Sequence, residues 1–203
     1  MKGLLLKDWY TLTKQLKFTL GLLVVLTILP GYSTVSFALL YSAMLPITAL
    51  AYDERSKWDE LAAMMPYSVR QIVAGKYILG MVCLVGAVLL STVVQGIIGL
   101  VQKDFAVQEV LTMVFCMAFL SVVLMSLNLP VMYRFGVERG RIVFMVLCAL
   151  VAGIGAGFAE PLMGLLERLE LGIAPFFVLP AAAIAVLLIS MEISIKLYQK
   201  KKR

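Results

Sequence analysis

The sequence has no histidine, and this absence argues against several classes of function. Histidine is the side chain most used for proton transfer near neutral pH and a common ligand of zinc. No GxxxxGK[ST] phosphate-binding loop occurs, so the chain is not expected to hydrolyse ATP by itself. The three cysteines, Cys83, Cys116 and Cys148, are widely spaced, which favours small buried side chains over disulfides or metal ligands. The sequence therefore predicts a protein that is not an enzyme and binds no cofactor of its own.

Charged residues are also scarce, and their scarcity indicates a membrane protein. Only 15% of the 203 residues are charged, 62% are hydrophobic, and the mean hydropathy is +0.99. A helix needs about 17–25 apolar residues to cross a bilayer. Five uncharged windows reach that length: Phe18–Tyr52 with 35 residues, Tyr77–Gln102 with 26, Val110–Tyr133 with 24, Ile142–Ala159 with 18 and Leu171–Met191 with 21.

The first of these windows is too long for one span. At about 1.5 Å per residue it would extend roughly 50 Å, against a hydrocarbon core of about 30 Å. Pro30-Gly31 near its middle predicts a tight hairpin between two short helices, and Pro46 predicts a kink in the second. The sequence therefore predicts an all-α polytopic membrane protein with six transmembrane helices, forming a single domain over residues 1–203.

The basic residues support six spans with both termini in the cytoplasm. In that arrangement sixteen of the eighteen lysines and arginines lie inside, and only Lys103 and Arg168 lie outside. The net charge of +6 then reflects orientation and contact with lipid headgroups, and it is not interpreted as nucleic-acid binding. Span three is placed at Ile78–Val101 and span four at Val110–Met132, with a break at Asn128-Leu129-Pro130. A basic inner loop is placed at Tyr133–Arg141, span five at Ile142–Ala159 and span six at Ile173–Ile195.

The sequence also predicts two amphipathic surface helices, one set of helix-packing residues and one set of polar residues within the spans. Residues 1–17 are expected to form an interfacial helix, with a plain cytoplasmic helix as the alternative, and residues 160–172 a short outer helix. Small residues four apart in span five favour close helix packing within the chain or between two copies: Ala149, Gly153 and Gly157. Polar residues within spans are candidates for a substrate pathway or for bonds between helices: Tyr41, Gln95 and Asn128.

Residues 52–77 hold eight charges, four of each sign, between two membrane-length apolar windows. This stretch must therefore protrude into water. Arg55–Met65 is predicted to be a helix with Trp58 on its apolar side and Asp53 on the solvated side, ended by Pro66. Ser68-Val69-Arg70-Gln71 matches a capping box, so a second helix is expected to begin there.

This stretch resembles the first cytoplasmic loop of type-2 ABC exporter permeases. The similarity lies in Tyr-Asp-Glu-x-Ser-x-Trp-Asp, followed by Met-Pro-Tyr-Ser-x-x-x-Ile-Val-x-x-Lys-Tyr. The chain is most similar to a small six-span bacterial group that includes phenol-soluble-modulin peptide exporters. The resemblance implies a bacterial cytoplasmic membrane protein, a homodimer, and a cytoplasmic ABC ATPase subunit that binds ATP and Mg. It also implies that Glu54–Met65 form a coupling helix, with these residues docking the ATPase: Asp53, Glu54, Arg55, Lys57, Trp58, Asp59, Glu60, Leu61, Met65 and Pro66.

The resemblance implies export of amphipathic peptides, but other hydrophobic compounds would suit the same apolar chain. Two other classes of function remain open. The chain can be a membrane anchor that recruits a cytoplasmic protein through the charged stretch without transport. It can also be an immunity or sensing protein that reuses the permease fold.

Overall fold

A computed structural model describes residues 2–15, 17, 21–22, 25, 32–102, 107–150 and 174–201. These residues are helical apart from short turns, and no strand occurs among them. The all-α prediction is confirmed for this part of the chain. The helices are α1 (Lys2–Gln15), α2 (Tyr32–Ser42), α3 (Leu45–Arg55), α4 (Trp58–Met64), α5 (Val69–Gln102), α6 (Val107–Phe135), α7 (137–150) and α8 (Ala174–Lys201).

Three of the described helices are long and apolar enough to cross a membrane. These segments are Val69–Ile98 in α5, Leu111–Phe135 in α6 and Pro180–Lys200 in α8. They correspond to the predicted spans three, four and six. The predicted hairpin at Pro30-Gly31 and the outer helix at 160–172 lie outside the described residues, so the count of six spans stays a prediction.

The predicted kink at Pro46 takes the form of a complete break between two helices. Helix α2 ends at Ser42, Ala43 and Met44 form a turn, and α3 begins at Leu45 with Pro46 in its first turn. Proline is tolerated in the first turn because its missing N–H would have no partner there. The two helices are therefore separated just before the proline, and α3 continues toward the charged stretch.

The predicted break at Asn128-Leu129-Pro130 is wrong. Helix α6 passes through Pro130 and ends at Phe135. Proline removes the N–H that would bind the carbonyl four residues earlier, which belongs to Ser126. The Ser190 hydroxyl of α8 donates a hydrogen bond to that carbonyl instead. A neighbouring helix thus satisfies the backbone group that Pro130 leaves free, as membrane helices require.

The predicted loop at Tyr133–Arg141 is also wrong, because it reduces to one residue. Gly136 alone separates α6 from α7, with φ of +85°. Glycine adopts this left-handed conformation without a steric penalty, and its N–H bonds the Met132 carbonyl at 2.9 Å to finish α6. A single glycine therefore replaces the nine-residue loop.

The largest hydrophobic cluster joins α3, α5, α6, α7 and α8 and extends to the end of the bundle that carries the charged stretch. Ala51, Val73 and Val137 from three of these helices are buried in it. Tyr133 of α6 and Tyr198 of α8 meet edge to face there, with ring centroids 5.6 Å apart. Helix α1 packs against α3 and α5 at this end. The charged stretch is therefore supported by a packed core.

Candidate functional site

The charged stretch folds as a short helix between two turns. Helix α3 continues to Arg55, and the left-handed Lys57, with φ of 51°, turns the chain before α4 begins at Trp58. Met65 ends α4 in an extended conformation ahead of Pro66, as the proline predicted. The predicted single helix over Glu54–Met65 is therefore wrong at its start, because Ser56 and Lys57 form a turn.

The predicted capping box at Ser68 is confirmed. The Gln71 N–H donates to Ser68 Oγ at 3.2 Å, and the Ser68 N–H donates to Gln71 Oε1 at 3.3 Å. These reciprocal bonds satisfy two backbone donors at the start of α5. The second turn thus ends at Ser68, and α5 begins at the next residue, Val69.

A buried network of four charges lies beside α4. It joins Lys7 and Asp8 of α1, Asp53 of α3 and Lys76 of α5. Lys76 Nζ lies 2.7 Å from Asp8 Oδ1 and 2.6 Å from Asp53 Oδ2. Lys7 Nζ lies 2.6 Å from Asp53 Oδ1 and 3.0 Å from Asp8 Oδ1. Each carboxylate thus contacts both ammonium groups, and the network is electrically neutral.

Three of the four members of the network are almost completely removed from solvent, whereas the Lys7 side chain is 24% exposed. Asp8 and Lys76 are each 2% exposed, and Asp53 is 8% exposed. Asp53 was predicted to face water as a docking residue, and this prediction of its exposure is wrong because its carboxylate pairs with both lysines. Removing one partner of a buried pair leaves an uncompensated charge and costs about 3–5 kcal/mol. The network therefore ties α1, α3 and α5 together.

Trp58 lies against this network and faces into the protein. The Lys7 ammonium lies 4.0 Å from the centre of the Trp58 ring, a cation–π contact. Trp58 also packs on a small cluster of buried residues, Leu4 of α1, Ala62 of α4 and Ile72 of α5. Trp58 was predicted as a docking residue on the apolar side of the helix, and its role in docking stays a prediction. In the structure the ring attaches α4 to the rest of the chain.

Other apolar side chains of α4 and its C-terminal end are exposed. Met64 is 85% exposed, Leu61 is 50% exposed, and Met65 follows at the end of the helix. Exposed Lys57 and Glu60 lie beside them, 3.9 Å apart at their charged atoms. Grouped exposed apolar side chains of this kind, rimmed by charges, are typical of protein interaction sites. We call Leu61, Met64 and Met65 the α4 outer face.

A family model described as ABC-2 family transporter protein matches residues 3–199 of the 203. The chain belongs to this family. A comparison with curated proteins and a comparison with solved structures each gave no match. Proteins of the ABC-2 family are membrane transport components that are generally not catalytic, and the family implies an ABC ATPase partner.

In this ABC-2 family protein, the remaining predicted docking residues lie in different places. Glu54 accepts a hydrogen bond from the Val137 N–H at 3.0 Å, so it caps the start of α7. Arg55 and Pro66 are exposed. Asp59 belongs to α4, but its side chain lies outside what the structure describes. Asp53 and Trp58 are not exposed, whereas seven of the ten predicted docking residues are: Glu54, Arg55, Lys57, Glu60, Leu61, Met65 and Pro66.

Among the described residues, no contact joins the three residues that were predicted for the substrate pathway. Tyr41 is half-buried and packs against the cluster around Leu39 and Leu45. Gln95 and Asn128 are buried, and the Gln95 Nε2 and both amide atoms of Asn128 have no hydrogen-bond partner among the described residues. The sequence-based assignment of these three residues therefore stays a prediction.

The residues predicted for helix packing are described only in part. Ala149 belongs to α7 and is exposed, whereas Gly153 and Gly157 lie outside the described residues. Metal ligands were not expected, and among the described residues no group of three or more histidine, cysteine, aspartate or glutamate side chains could hold an ion. The exposed side chains of Leu61, Met64 and Met65 make the α4 outer face the candidate site in the described part of this ABC-2 family protein.

The sequence analysis missed Lys7, Asp8 and Lys76 as members of the network. A signal was present, since Asp8 is the sole acidic residue before Asp53 and it lies in an otherwise basic segment. Asp53 and Lys76 also directly border the two apolar windows around the charged stretch. Charges at the ends of adjacent spans lie at the same depth in the bundle, where they can meet.

Proposed function

We propose that this chain is the permease subunit of an ATP-driven exporter and that its partner ATPase docks on the α4 outer face. One observation carries the proposal. Leu61 and Met64 of the seven-residue α4, and Met65 at its end, are exposed, while Trp58 of the same helix contacts Lys7 of the buried network. A partner that moves α4 would therefore also move the helices that the network joins.

The apolar and the charged side chains of α4 both suit a helix that docks on a partner protein. The methionines of the outer face adapt to an apolar groove, and Lys57 and Glu60 supply charges of both signs that set the register of a partner. Membership of the ABC-2 family supports an ATPase as that partner. ATP and Mg would bind to the ATPase subunit and not to this chain.

The remaining parts of the proposal rest on the resemblance to peptide-exporting permeases. We propose that two copies of the chain form the transporter in the bacterial cytoplasmic membrane, with both termini in the cytoplasm. Amphipathic peptides or other hydrophobic compounds would be moved outward. The apolar character of the chain, 62% hydrophobic, suits substrates that partition into lipid.

The docking proposal is tested by co-expression and co-purification with a candidate partner ABC ATPase. We expect the Leu61→Glu and Met64→Glu variants to weaken the association, since central apolar contacts are often worth 2 kcal/mol or more, about thirtyfold in Kd. The matched controls Leu61→Met and Met64→Leu keep the face apolar and should retain the complex. If the glutamate variants bind as well as the controls, the α4 outer face is not the docking site.

Transport is tested separately, with inverted membrane vesicles that contain both subunits. We expect ATP-dependent uptake of labelled amphipathic peptides, and loss of uptake with the glutamate variants. A complex that forms normally but moves none of the peptides or hydrophobic compounds would support the anchor function instead. Failure to form a complex with any ABC ATPase would contradict both the docking site and the transporter.

A further inference from the structure

An apolar groove of about 410 Å³ runs along the outside of the bundle between α5 and α8. Its walls are aliphatic apart from one aromatic ring. The Tyr77 hydroxyl is engaged by Ser190 and Ser194 of α8 at 2.7 and 2.8 Å, so Tyr77 presents only its ring to the groove. The lining residues are Ala74, Tyr77, Ile78, Met81, Val82, Val85, Leu187 and Met191.

The length of the groove matches one leaflet of a bilayer. From Ala74 to Val85 α5 advances eleven residues, which at about 1.5 Å per residue is about 16 Å. Half of a hydrocarbon core of about 30 Å is about 15 Å. Both walls belong to segments that are apolar and long enough to span a membrane. The α5 wall of the groove is therefore about as long as the acyl region of one leaflet is thick.

One end of the groove carries an ion pair. Arg70 lies one helical turn before Ala74, and Glu192 directly follows Met191. The guanidinium Nη2 of Arg70 lies 2.7 Å from Glu192 Oε1, and the two side chains are 69% and 49% exposed. An exposed pair of this kind contributes only about 0–1 kcal/mol, so a ligand can separate its members at little cost.

The charges of this pair select one kind of headgroup. A guanidinium binds a phosphate through two parallel hydrogen bonds, and a carboxylate accepts hydrogen bonds from a primary ammonium. A phosphoethanolamine headgroup contains both groups, joined by a two-carbon linker. An anionic headgroup would gain from Arg70 but would be repelled by Glu192. The pair is thus complementary to a zwitterion and has no net attraction for an anion.

We propose that this groove binds one ethanolamine phospholipid. One acyl chain lies along Ala74, Ile78 and Val85, and the headgroup lies across Arg70 and Glu192. The bound lipid covers the apolar wall and holds α5 and α8 together at the end where α5 meets the charged stretch. This site is separate from the α4 outer face and does not depend on which partner docks there.

The test uses the purified full-length chain and native mass spectrometry with phosphatidylethanolamine or phosphatidylglycerol at equal concentrations. We expect one phosphatidylethanolamine to be retained with at least about tenfold preference. Ala74→Phe, which fills the groove, should remove this retention, whereas Val93→Phe on the exposed surface of α5 outside the groove should not. Glu192→Gln should abolish the preference for ethanolamine by strengthening phosphatidylglycerol binding.

A second measurement guards against misfolding of the groove-filling variant. Phosphatidylethanolamine should raise the melting temperature of the wild-type chain and of Val93→Phe, but not of Ala74→Phe or of a second groove-filling variant, Val85→Phe. Equal retention of both lipids by the wild type would overturn the headgroup assignment, and unchanged retention by Ala74→Phe would overturn the groove. A photoreactive amino acid at Ile78 that crosslinks to a second copy of the chain, and not to lipid, would also overturn the proposal.

Discussion

Replacing Lys76 by methionine would show how strongly the buried network stabilises the protein. The Lys76 ammonium is 2% exposed and contacts two carboxylates at 2.6 and 2.7 Å. Methionine keeps the apolar stem but leaves Lys7 alone against Asp8 and Asp53, so the site acquires a net charge of −1. Leaving a buried charge uncompensated costs about 3–5 kcal/mol, and we expect Lys76→Met to lower the free energy of unfolding by that amount.

A second substitution separates the charge from the packing. Adding Asp8→Asn restores neutrality, because Lys7 and Asp53 remain paired at 2.6 Å. We therefore expect the double variant to be more stable than the sum of the two single losses predicts, with a coupling energy of about 1–3 kcal/mol. The control is Glu60→Gln, which removes an exposed pair 3.9 Å apart and should change stability by about 0–1 kcal/mol.

The assay is reversible unfolding in mixed micelles, followed by tryptophan fluorescence. Trp58 reports on the network directly, since its ring lies 4.0 Å from the Lys7 ammonium. A loss of 1 kcal/mol or less for Lys76→Met would refute the reasoning. So would a double variant whose loss equals the sum of the losses of Lys76→Met and Asp8→Asn, because the two groups would then not interact.

Three further substitutions test local features by the same unfolding assay. Ser68→Ala removes the cap of α5 and should cost about 1 kcal/mol, whereas Ser68→Asp, which can still cap, should cost little. Gly136→Ala forces a left-handed conformation on a side chain and should cost about 1–2 kcal/mol, while Gly136→Asn should cost less. Ser190→Ala leaves the Ser126 carbonyl without its donor and should cost about 1 kcal/mol. If that variant is neutral, the hydroxyl is not what allows Pro130 within α6.

The long helices were predictable because one physical requirement dominates them. A segment in lipid must satisfy its backbone hydrogen bonds internally and carry few charges, so charge-free windows coincide with α5, α6 and α8. The capping box at Ser68 was predictable for a similar reason, since its bonds join residues three apart. Features determined within a few residues of sequence are thus recovered correctly.

The inward orientation of Asp53 and Trp58 was not predictable on the same grounds. Asp53 pairs with Lys7, 46 residues earlier, and Trp58 packs on Leu4 of the same distant helix. A carboxylate in a charge-dense stretch is normally solvated, and only a neutralising partner brought by the fold reverses this. The continuation of α6 through Pro130 likewise depends on Ser190, which lies 64 residues away from Ser126.

The arrangement around α4 determines how a force on that helix would reach the membrane. Two turns connect α4 to its neighbours, one through the left-handed Lys57 and one through Met65 and Pro66. Turns of this kind can absorb motion if nothing else holds the helix. Trp58 supplies a third attachment, because it contacts Lys7, and Lys7 pairs with Asp53 of α3. Displacing α4 without α1 and α3 would therefore disturb a buried charge network.

If the ATPase docks on the α4 outer face as proposed, helix α1 would be part of the coupling machinery. Its Asp8 is buried against Lys76 of α5, while Trp9 and Tyr10 beside it are exposed and suited to the headgroup region. The same helix thus contacts the network through Asp8 and exposes Trp9 and Tyr10, which suits the predicted interfacial position. Because Lys76 belongs to the first turns of α5, a displacement of α4 that is passed through Lys7 and Asp8 enters the membrane along α5 as well as along α3.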